Sequence, residues 1–219
     1  MTSFDQARRQ VLATSQLLAQ KGYLIATGGN LSVRIPGEQA FAITPSNYDY
    51  MKMVPEDVCV LDLEQQVLAG ERKPSVESGM HAAIYRTRPD VNAIAHTHQV
   101  YASALALIDA SIPALFDEQA RFLGRSVAVI PYAPSGTGLL KNTIARHIRD
   151  HSNAYLLQNH GALCLGADVE QVAHNVEILE KCALAYLLAL CTGNKVSRIP
   201  LAVREIAFSR LRADQKKFE

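Results

Sequence analysis

A short apolar stretch that ends in two histidines constrains this chain more than any other feature. Residues 92–98 read NAIAHTH, so His96 and His98 lie two positions apart. On an extended strand that spacing places both imidazoles on one face, because side chains alternate between the faces. A neutral imidazole is a common ligand for zinc and similar divalent metals. Two histidines also occur at strand ends without a metal, so the motif predicts a metal site only if further ligands converge on it.

Length and composition indicate an ordinary globular protein. The chain has 219 residues, of which 48% are hydrophobic and 20% are charged, and its formal net charge is +1. This length suits a single domain, residues 1–219, with a substantial core. The small net charge argues against charge-driven association, so the expected partners include no nucleic acid and no membrane.

Segments that would direct the chain to a membrane or out of the cell are not evident in the sequence. Residues 1–9 lack the apolar core of a signal peptide. The longest apolar run, Cys182 to Cys191, has about half of the length that spans a bilayer. The four cysteines show no C-x-x-C spacing. We therefore expect reduced thiols and a cytoplasmic location.

Apolar periodicity and turn residues predict an alternation of helices and strands. Ser3 and Gln6 have the spacing of a capping box for a first helix that ends at Gly22. Another helix is predicted to begin near Ser75, which places Glu77 in its first turn. Further helices are predicted after His98, over residues 137–149 and from Asp168 to Cys191, and strands at 31–35, 41–44, 58–61, 126–130 and 154–158. This order indicates an α/β protein.

The C-terminal tail has an amphipathic pattern. From Pro200 onward, Val203, Ile206 and Phe208 recur on one side of the predicted segment. Such a face must be covered by something, and we expect it to pack on a neighbouring subunit.

Several polar residues outside the NAIAHTH stretch have either a structural or a functional reading. The turn at residues 28–30, GGN, can present backbone N–H groups to an anion, but taken alone it is more typical of a plain turn. Glu77 and His81 share a helix face, where an acidic residue commonly complements the helix dipole. His81 is expected to pack in the core or to orient a neighbour rather than to bind metal. His160 follows an apolar strand and precedes Gly161, so it is placed to point out of a sheet edge.

Three fragments together resemble the class II aldolase/adducin family in order and spacing. They are GGNLS at 28–32, KPSVE at 73–77 with HTH at 96–98, and NHG at 159–161. The similarity extends over about residues 5–192 and leaves 193–219 as a C-terminal tail. It implies an α/β fold with three layers, α/β/α, around a mostly antiparallel central sheet. It also implies a homotetramer with sites at the subunit interfaces.

The resemblance implies a metal site and a catalytic carboxylate. The family holds one divalent metal ion per subunit, most readily Zn²⁺ but also Co²⁺, Ni²⁺ or Mn²⁺, at positions that match His96, His98 and His160. The position of Glu77 matches the catalytic carboxylate, which can also contact the resting metal. The positions that match the substrate-phosphate turns are Gly29, Asn30, Ser46, Asn47 and Ser75.

The residue types agree with the lyase chemistry that this resemblance implies. Three neutral histidines leave coordination positions open and leave the charge of the metal available to a developing enediolate. Glu77 would move protons at the carbon next to the carbonyl. The prediction is a metal-dependent aldolase that cleaves a small ketose phosphate to dihydroxyacetone phosphate and an aldehyde.

Departures from the family pattern leave alternatives open. Val76 and Asn47 replace a serine and a glycine in the phosphate turns, so the phosphate is held differently or is absent. Asp117 stands where the aldolases carry a tyrosine proton donor, and either it or Glu118 is a second acid/base or a solvated loop acid. The same site could then serve 4-epimerisation, dehydration or decarboxylation of an oxo-acid phosphate. A non-enzymatic, adducin-like binding module is a further alternative, against which the three histidines and Glu77 argue.

Overall fold

The computed structural model describes residues 2–218 and contains one eight-stranded sheet. Its strands are β1 (Asn30–Arg34), β2 (Ala40–Ile43), β3 (Cys59–Asp62), β4 (Val67–Ala69), β5 (Ala93–Thr97), β6 (Ala128–Ile130), β7 (Ala154–Leu157) and β8 (Gly161–Gly166). Their order across the sheet is β4-β3-β2-β1-β5-β8-β7-β6. Every neighbouring pair is antiparallel except β6 and β7, which confirms the expectation of a mostly antiparallel sheet.

Helices cover both faces of the sheet. They are α1 (Ser3–Gln20), α2 (Ser78–Thr87), α3 (Val100–Leu107), α4 (Asp117–Phe122), α5 (Gly138–His147), α6 (Val169–Cys191) and α7 (Leu201–Gln215). Ala93 and Ala95 of β5 pack in a core with α1, α3 and α6, whereas Ile94 packs in a second core with α2 and α5. This alternation confirms the three-layer α/β/α fold. Within residues 2–218, no helix combines the length and the hydropathy that crossing a membrane requires.

The first helix is capped one residue earlier than the sequence predicts. The Thr2 hydroxyl accepts the N–H of Asp5 at 3.1 Å, and the Asp5 carboxylate accepts the N–H of Thr2 at 3.1 Å. The capping box of Ser3 and Gln6 is therefore wrong. Two overlapping patterns compete here, and the one with the charged acceptor forms because a carboxylate binds an N–H more strongly than an amide oxygen does.

The second helix begins later than predicted, which leaves Glu77 at its N-cap instead of in its first turn. The segment before it is held extended against the turn after β2. Ser46 donates its N–H to the Lys73 carbonyl at 2.8 Å, and Ser75 donates to the Thr44 carbonyl at 3.2 Å. These bonds prevent residues 73–75 from entering the helix, so Glu77 lies at the junction between a pinned turn and a helix.

The C-terminal helix packs on its own chain. Phe208 and Leu211 of α7 are buried, and α7 packs mainly against α4. The Arg125 guanidinium lies 3.8 Å from the centroid of the Phe208 ring and 2.7 Å from the Glu205 carboxylate. Ile206 is 58% exposed. Phe208 is therefore covered within its own subunit by α4, which the sequence pattern does not reveal, whereas Val203 and Ile206 are exposed and the expected packing on a neighbouring subunit stays a prediction.

Candidate active site

Three histidines converge where the end of β5 meets the start of its paired strand β8. His96 lies in β5, His98 follows the end of that strand, and His160 lies in the turn between β7 and β8. The strands β5 and β8 are paired, which brings the turn against the end of β5. One ring nitrogen of each histidine lies within 4.8 Å of those of the other two. The three residues that the sequence suggests as metal ligands therefore face one another.

The hydrogen bond that His96 makes through Nδ1 leaves its Nε2 free to bind a cation. Its Nδ1 lies 2.9 Å from the Ala162 carbonyl oxygen, and because a carbonyl can only accept, Nδ1 carries the hydrogen. Burial lowers the pKa of His96 to about 4 and also lowers the pKa of His98. The neutral ring then presents a lone pair at Nε2, which lies 3.1 Å from Nε2 of His98. Neutral imidazoles with convergent lone pairs fit a divalent metal ion.

The Glu77 carboxylate lies between two of these histidines. Its two oxygens are 3.3 Å from Nε2 of His96 and 3.2 Å from Nε2 of His160. It also accepts hydrogen bonds from the Asn30 amide at 2.7 Å and from the Ser135 hydroxyl at 2.6 Å. Burial raises the pKa of Glu77, but the hydrogen bonds from His160, Ser135 and Asn30 outweigh it, so this pKa lies below its usual range. The carboxylate is thus ionised, and each of its oxygens accepts a hydrogen bond.

A cleft of about 170 Å³ opens onto this cluster. The polar turns that the sequence suggests for phosphate binding line the same cleft as the histidines. The lining residues are Thr27, Gly28, Gly29, Asn30, Pro45, Ser46, Asn47, Ser75, Val76, Glu77, His98, Ser135 and His160. The side chain of Asn30 is occupied by Glu77 and by His81, so a contact of Asn30 with phosphate would fall to its backbone.

The two acidic residues suggested as a second acid/base lie elsewhere on the subunit. Asp117 is exposed in the first turn of α4 and is outside the set of described residues that line the cleft. Glu118 forms an ion pair with Lys181 of α6 at 2.9 Å. Within one subunit the structure therefore does not bring either carboxylate to the histidines.

Comparison with known proteins agrees with this arrangement. A sequence profile described as "Class II Aldolase and Adducin N-terminal domain" matches residues 9–187. The chain belongs to this family. It is 35% identical to the 5-deoxy-D-ribulose 1-phosphate aldolase of Bacillus thuringiensis serovar kurstaki, over 83% of this chain and 84% of the relative. It is 33% identical to the L-fuculose phosphate aldolase of Escherichia coli K12, over 88% and 87%.

A solved structure extends the likeness to three dimensions. An L-fuculose 1-phosphate aldolase superposes with a TM-score of 0.87 at 32% identity, and the match covers 94% of this chain and 96% of that one. These similarities span nearly the whole length of each protein. The expected resemblance to this family is confirmed, and the chain is a class II aldolase, a carbon–carbon lyase.

One of the departures from the family pattern preserves the local backbone. Asn47, which stands where a glycine is expected, has a φ of 53°, in the left-handed region that favours glycine. Asparagine is among the few other residues that adopt this conformation at modest cost. Its side-chain oxygen accepts a hydrogen bond from the Thr27 hydroxyl at 2.9 Å, which ties two cleft turns together. The substitution therefore keeps the shape of the turn.

Two glycines allow the histidines to approach, a role that the sequence alone does not reveal. A Cβ at Gly161 would overlap the Thr97 carbonyl oxygen and would lie 2.8 Å from Cδ2 of His98. A Cβ at Gly28 would lie 2.7 Å from Nδ1 of His98. Both positions therefore need glycine for close packing against the strand end that carries His96 and His98.

Replacing Gly161 by alanine is expected to displace His98 and weaken metal binding by about 10- to 100-fold, the usual cost of disturbing the groups behind metal ligands. Competition with a chromogenic chelator measures this affinity. Gly138→Ala is the matched control, because a Cβ there meets nothing within 4 Å. If Gly161→Ala bound metal as tightly as Gly138→Ala does, the close approach at Gly161 would not position His98.

Proposed function

We propose that the protein cleaves a small ketose 1-phosphate to dihydroxyacetone phosphate and an aldehyde. The observation that carries the proposal is the Glu77 carboxylate held between two of three converging histidines, in a cleft lined by polar turns. The names of the relatives support the substrate class, because they are aldolases of L-fuculose phosphate and of 5-deoxy-D-ribulose 1-phosphate. Both are ketose phosphates.

We propose that His96, His98 and His160 hold one divalent metal ion per subunit. Zinc is favoured because three neutral histidines with an open position are typical of catalytic zinc, while Co²⁺, Ni²⁺ and Mn²⁺ accept the same donors. A bound ion supplies Lewis-acid stabilisation for the negative charge that develops on the ketose oxygens during cleavage. The neutral state of the buried His96 ring favours this arrangement.

Glu77 is the proposed proton donor and acceptor at carbon. When the bond between C3 and C4 breaks, its electron pair remains on C3, beside the C2 carbonyl, and the C4 hydroxyl loses its proton as the aldehyde forms. C3 must then take a proton to become the hydroxymethyl group of dihydroxyacetone phosphate. The proton of the C4 hydroxyl passes to a second acid/base. Glu77 takes up a proton from solvent before cleavage and delivers it to C3, and in the reverse direction it removes that proton.

The polar turns are the proposed phosphate site. The hydroxyls of Ser46 and Ser75 and the backbone N–H groups around Gly29 and Asn47 supply donors at the same cleft. Backbone N–H groups in turns are effective partners for phosphate oxygens. Because Asn47 keeps the left-handed turn, the loss of glycine there is compatible with this role.

We also propose that the chain forms one domain per subunit of a homotetramer. In such an assembly Asp117, which is exposed on α4, would enter the cleft of a neighbouring subunit as the second acid/base. All four cysteines are free thiols, three of them buried, which supports a cytoplasmic location.

Asp117→Asn should spare proton exchange at C3 but lower net cleavage by about 10²-fold or more, the usual contribution of a general acid–base group. Exchange is followed by NMR and cleavage by a coupled assay. Glu118→Gln is the matched control, because Glu118 is paired with Lys181 and should be dispensable. If the two variants behaved alike, Asp117 would have no chemical role.

Asp117 also supports a second candidate function. With a carboxylate at that position, the same site could cleave the C3–C4 bond and re-form it on the other face of the aldehyde, which gives 4-epimerisation. It could also serve dehydration or the decarboxylation of an oxo-acid phosphate. The decisive observation would be a 4-epimer or a dehydrated or decarboxylated product in place of dihydroxyacetone phosphate.

A substrate panel tests the proposed function. L-Fuculose 1-phosphate, 5-deoxy-D-ribulose 1-phosphate and the two unphosphorylated sugars are incubated with metal-loaded protein. The aldehyde, which the phosphate esters and the free sugars both release, is quantified, and dihydroxyacetone phosphate from the esters is detected with a coupled dehydrogenase. We expect cleavage of at least one phosphate ester, with a kcat/KM at least about 100-fold above that of the free sugar, because phosphate binding contributes to transition-state stabilisation. Failure to cleave either phosphate ester would contradict the proposed substrate class.

A further inference from the structure

A line of buried hydrogen bonds runs from Glu77 into the core. The Asn30 amide donates to Glu77 at 2.7 Å, and its oxygen lies 2.5 Å from Nε2 of His81. On the other side of the ring, Nδ1 of His81 lies 2.6 Å from the Ser32 hydroxyl, which lies 2.7 Å from the Tyr85 hydroxyl. All five residues are at most 5% exposed, so water does not compete for these bonds.

Two periodicities bring this line together. Asn30 and Ser32 are two residues apart on β1 and therefore share a face of the sheet. Glu77, His81 and Tyr85 recur every four residues along α2, starting from its N-cap, and therefore share a face of the helix. The two faces pack together, so each polar side chain of the strand lies against those of the helix.

Groups that can only accept a hydrogen bond fix the donor and the acceptor in the first two hydrogen bonds of this line. A carboxylate only accepts, so the amide nitrogen of Asn30 faces Glu77 and its oxygen faces His81. An amide oxygen also only accepts, so Nε2 of His81 carries a hydrogen.

The rest of the line follows from the charge state of His81. Burial lowers the pKa of His81 to about 3, so the ring is neutral and Nδ1 is bare. The Ser32 hydroxyl must then donate to Nδ1, and the Tyr85 hydroxyl must donate to Ser32. Each donor points toward Glu77.

We propose that His81, Ser32 and Tyr85 are positioning residues that lock the Asn30 amide and thereby hold the Glu77 carboxylate for proton transfer. The two ends of an amide are nearly identical in shape, and the hydrogen bonds to Glu77 and from His81 together fix which end faces which partner. With His81 in the other tautomer, a bare Nε2 would face the Asn30 oxygen, and turning the amide over would instead set that oxygen against the carboxylate. The effect on catalysis rests on the proposed function, whereas the tautomer of His81 does not.

The tautomer is measured by ¹⁵N NMR of histidine-labelled, metal-loaded protein, with His81→Gln used to assign the resonance. We expect a neutral ring that is protonated at Nε2 and bare at Nδ1 at neutral pH. A ring protonated at Nδ1, or at both nitrogens, would overturn the proposal, and this result is independent of any substrate.

The kinetic test compares the removal of hydroxyl groups that belong to this line of hydrogen bonds with the removal of buried hydroxyl groups elsewhere. Tyr85→Phe and Ser32→Ala should lower kcat for cleavage and for proton exchange by about 10- to 100-fold, because small misplacements of a catalytic group have effects of that size. KM should change by less than about twofold, since substrate contacts are retained, and metal content should stay constant.

Matched controls separate positioning from packing. Tyr155→Phe and Ser15→Ala also remove buried hydroxyls, which bond to Asp150 and Ser152 and to Leu12 respectively. We expect these controls to retain kcat. A similar loss of kcat in the controls, or wild-type kcat in Tyr85→Phe and Ser32→Ala, would overturn the proposal. An inactive wild-type protein with the expected His81 tautomer would instead count against the proposed function alone.

Discussion

Replacing His160 by alanine is expected to abolish stable metal binding and carbon–carbon cleavage while the fold is retained. The side chain of His160 is 15% exposed and lies in a turn, so its removal leaves no large cavity in the core. Loss of one of three ligands should weaken metal binding by more than about 100-fold, because even changes behind the ligands cost about 10- to 100-fold. Losing the charge stabilisation of the ion, which amounts to several kcal/mol, should slow cleavage by at least about 10³-fold.

Elemental analysis after dialysis measures metal content, and circular dichroism reports on the fold. His147→Ala is the matched control, because His147 is an exposed histidine at the C-terminal end of α5. His96→Ala should have the same effect on metal, but His96 is fully buried and its loss is also expected to lower stability. If His160→Ala retained a full complement of metal, the proposed ligand set would be wrong.

Replacing Glu77 by glutamine is expected to leave the metal in place but to reduce turnover by about 10²- to 10⁴-fold, the range of general acid–base catalysis. The replacement has nearly the same shape. Its amide oxygen can accept from Asn30, and its NH₂ group can donate to the Ser135 hydroxyl, so both partners remain satisfied. The variant therefore removes the ionisable group with little structural change.

Steady-state kinetics and metal analysis on the same preparation test this prediction. Glu38→Gln, at an exposed turn between β1 and β2, is the matched control and should have wild-type activity. Unchanged turnover in Glu77→Gln would remove Glu77 from the proton transfer.

The sequence predicts the layers of the fold well, because the burial of each helix and strand is visible in the spacing of its own apolar residues. The apolar strand before His96 and the long helix from Asp168 to Cys191 are both present. The errors lie where non-local contacts decide. Pairing between residues 44–46 and 73–75 delays α2, and α4 has only six residues, too few for a periodic pattern.

The three histidines and the carboxylate of the candidate site are predictable from the sequence, but the residues that support them are not. The spacing of His96 and His98, together with the three motifs that match the family in order and spacing, is enough to indicate the three histidines and Glu77 from the amino-acid sequence. Ser135 donates to Glu77 from a loop 58 positions away, and no local pattern marks that contact. The need for glycine at positions 28 and 161 appears only when a side chain is placed against His98.

Proton NMR of dihydroxyacetone phosphate in D₂O tests the central claim most directly. Metal-loaded wild-type protein should replace one of the two hydroxymethyl protons by deuterium stereospecifically, and Glu77→Gln should not. His160→Ala, purified identically, controls for contaminating isomerase activity. No exchange by metal-loaded wild-type protein, or equal exchange by Glu77→Gln, would contradict the assignment of Glu77 as the group that moves the proton at carbon in this class II aldolase.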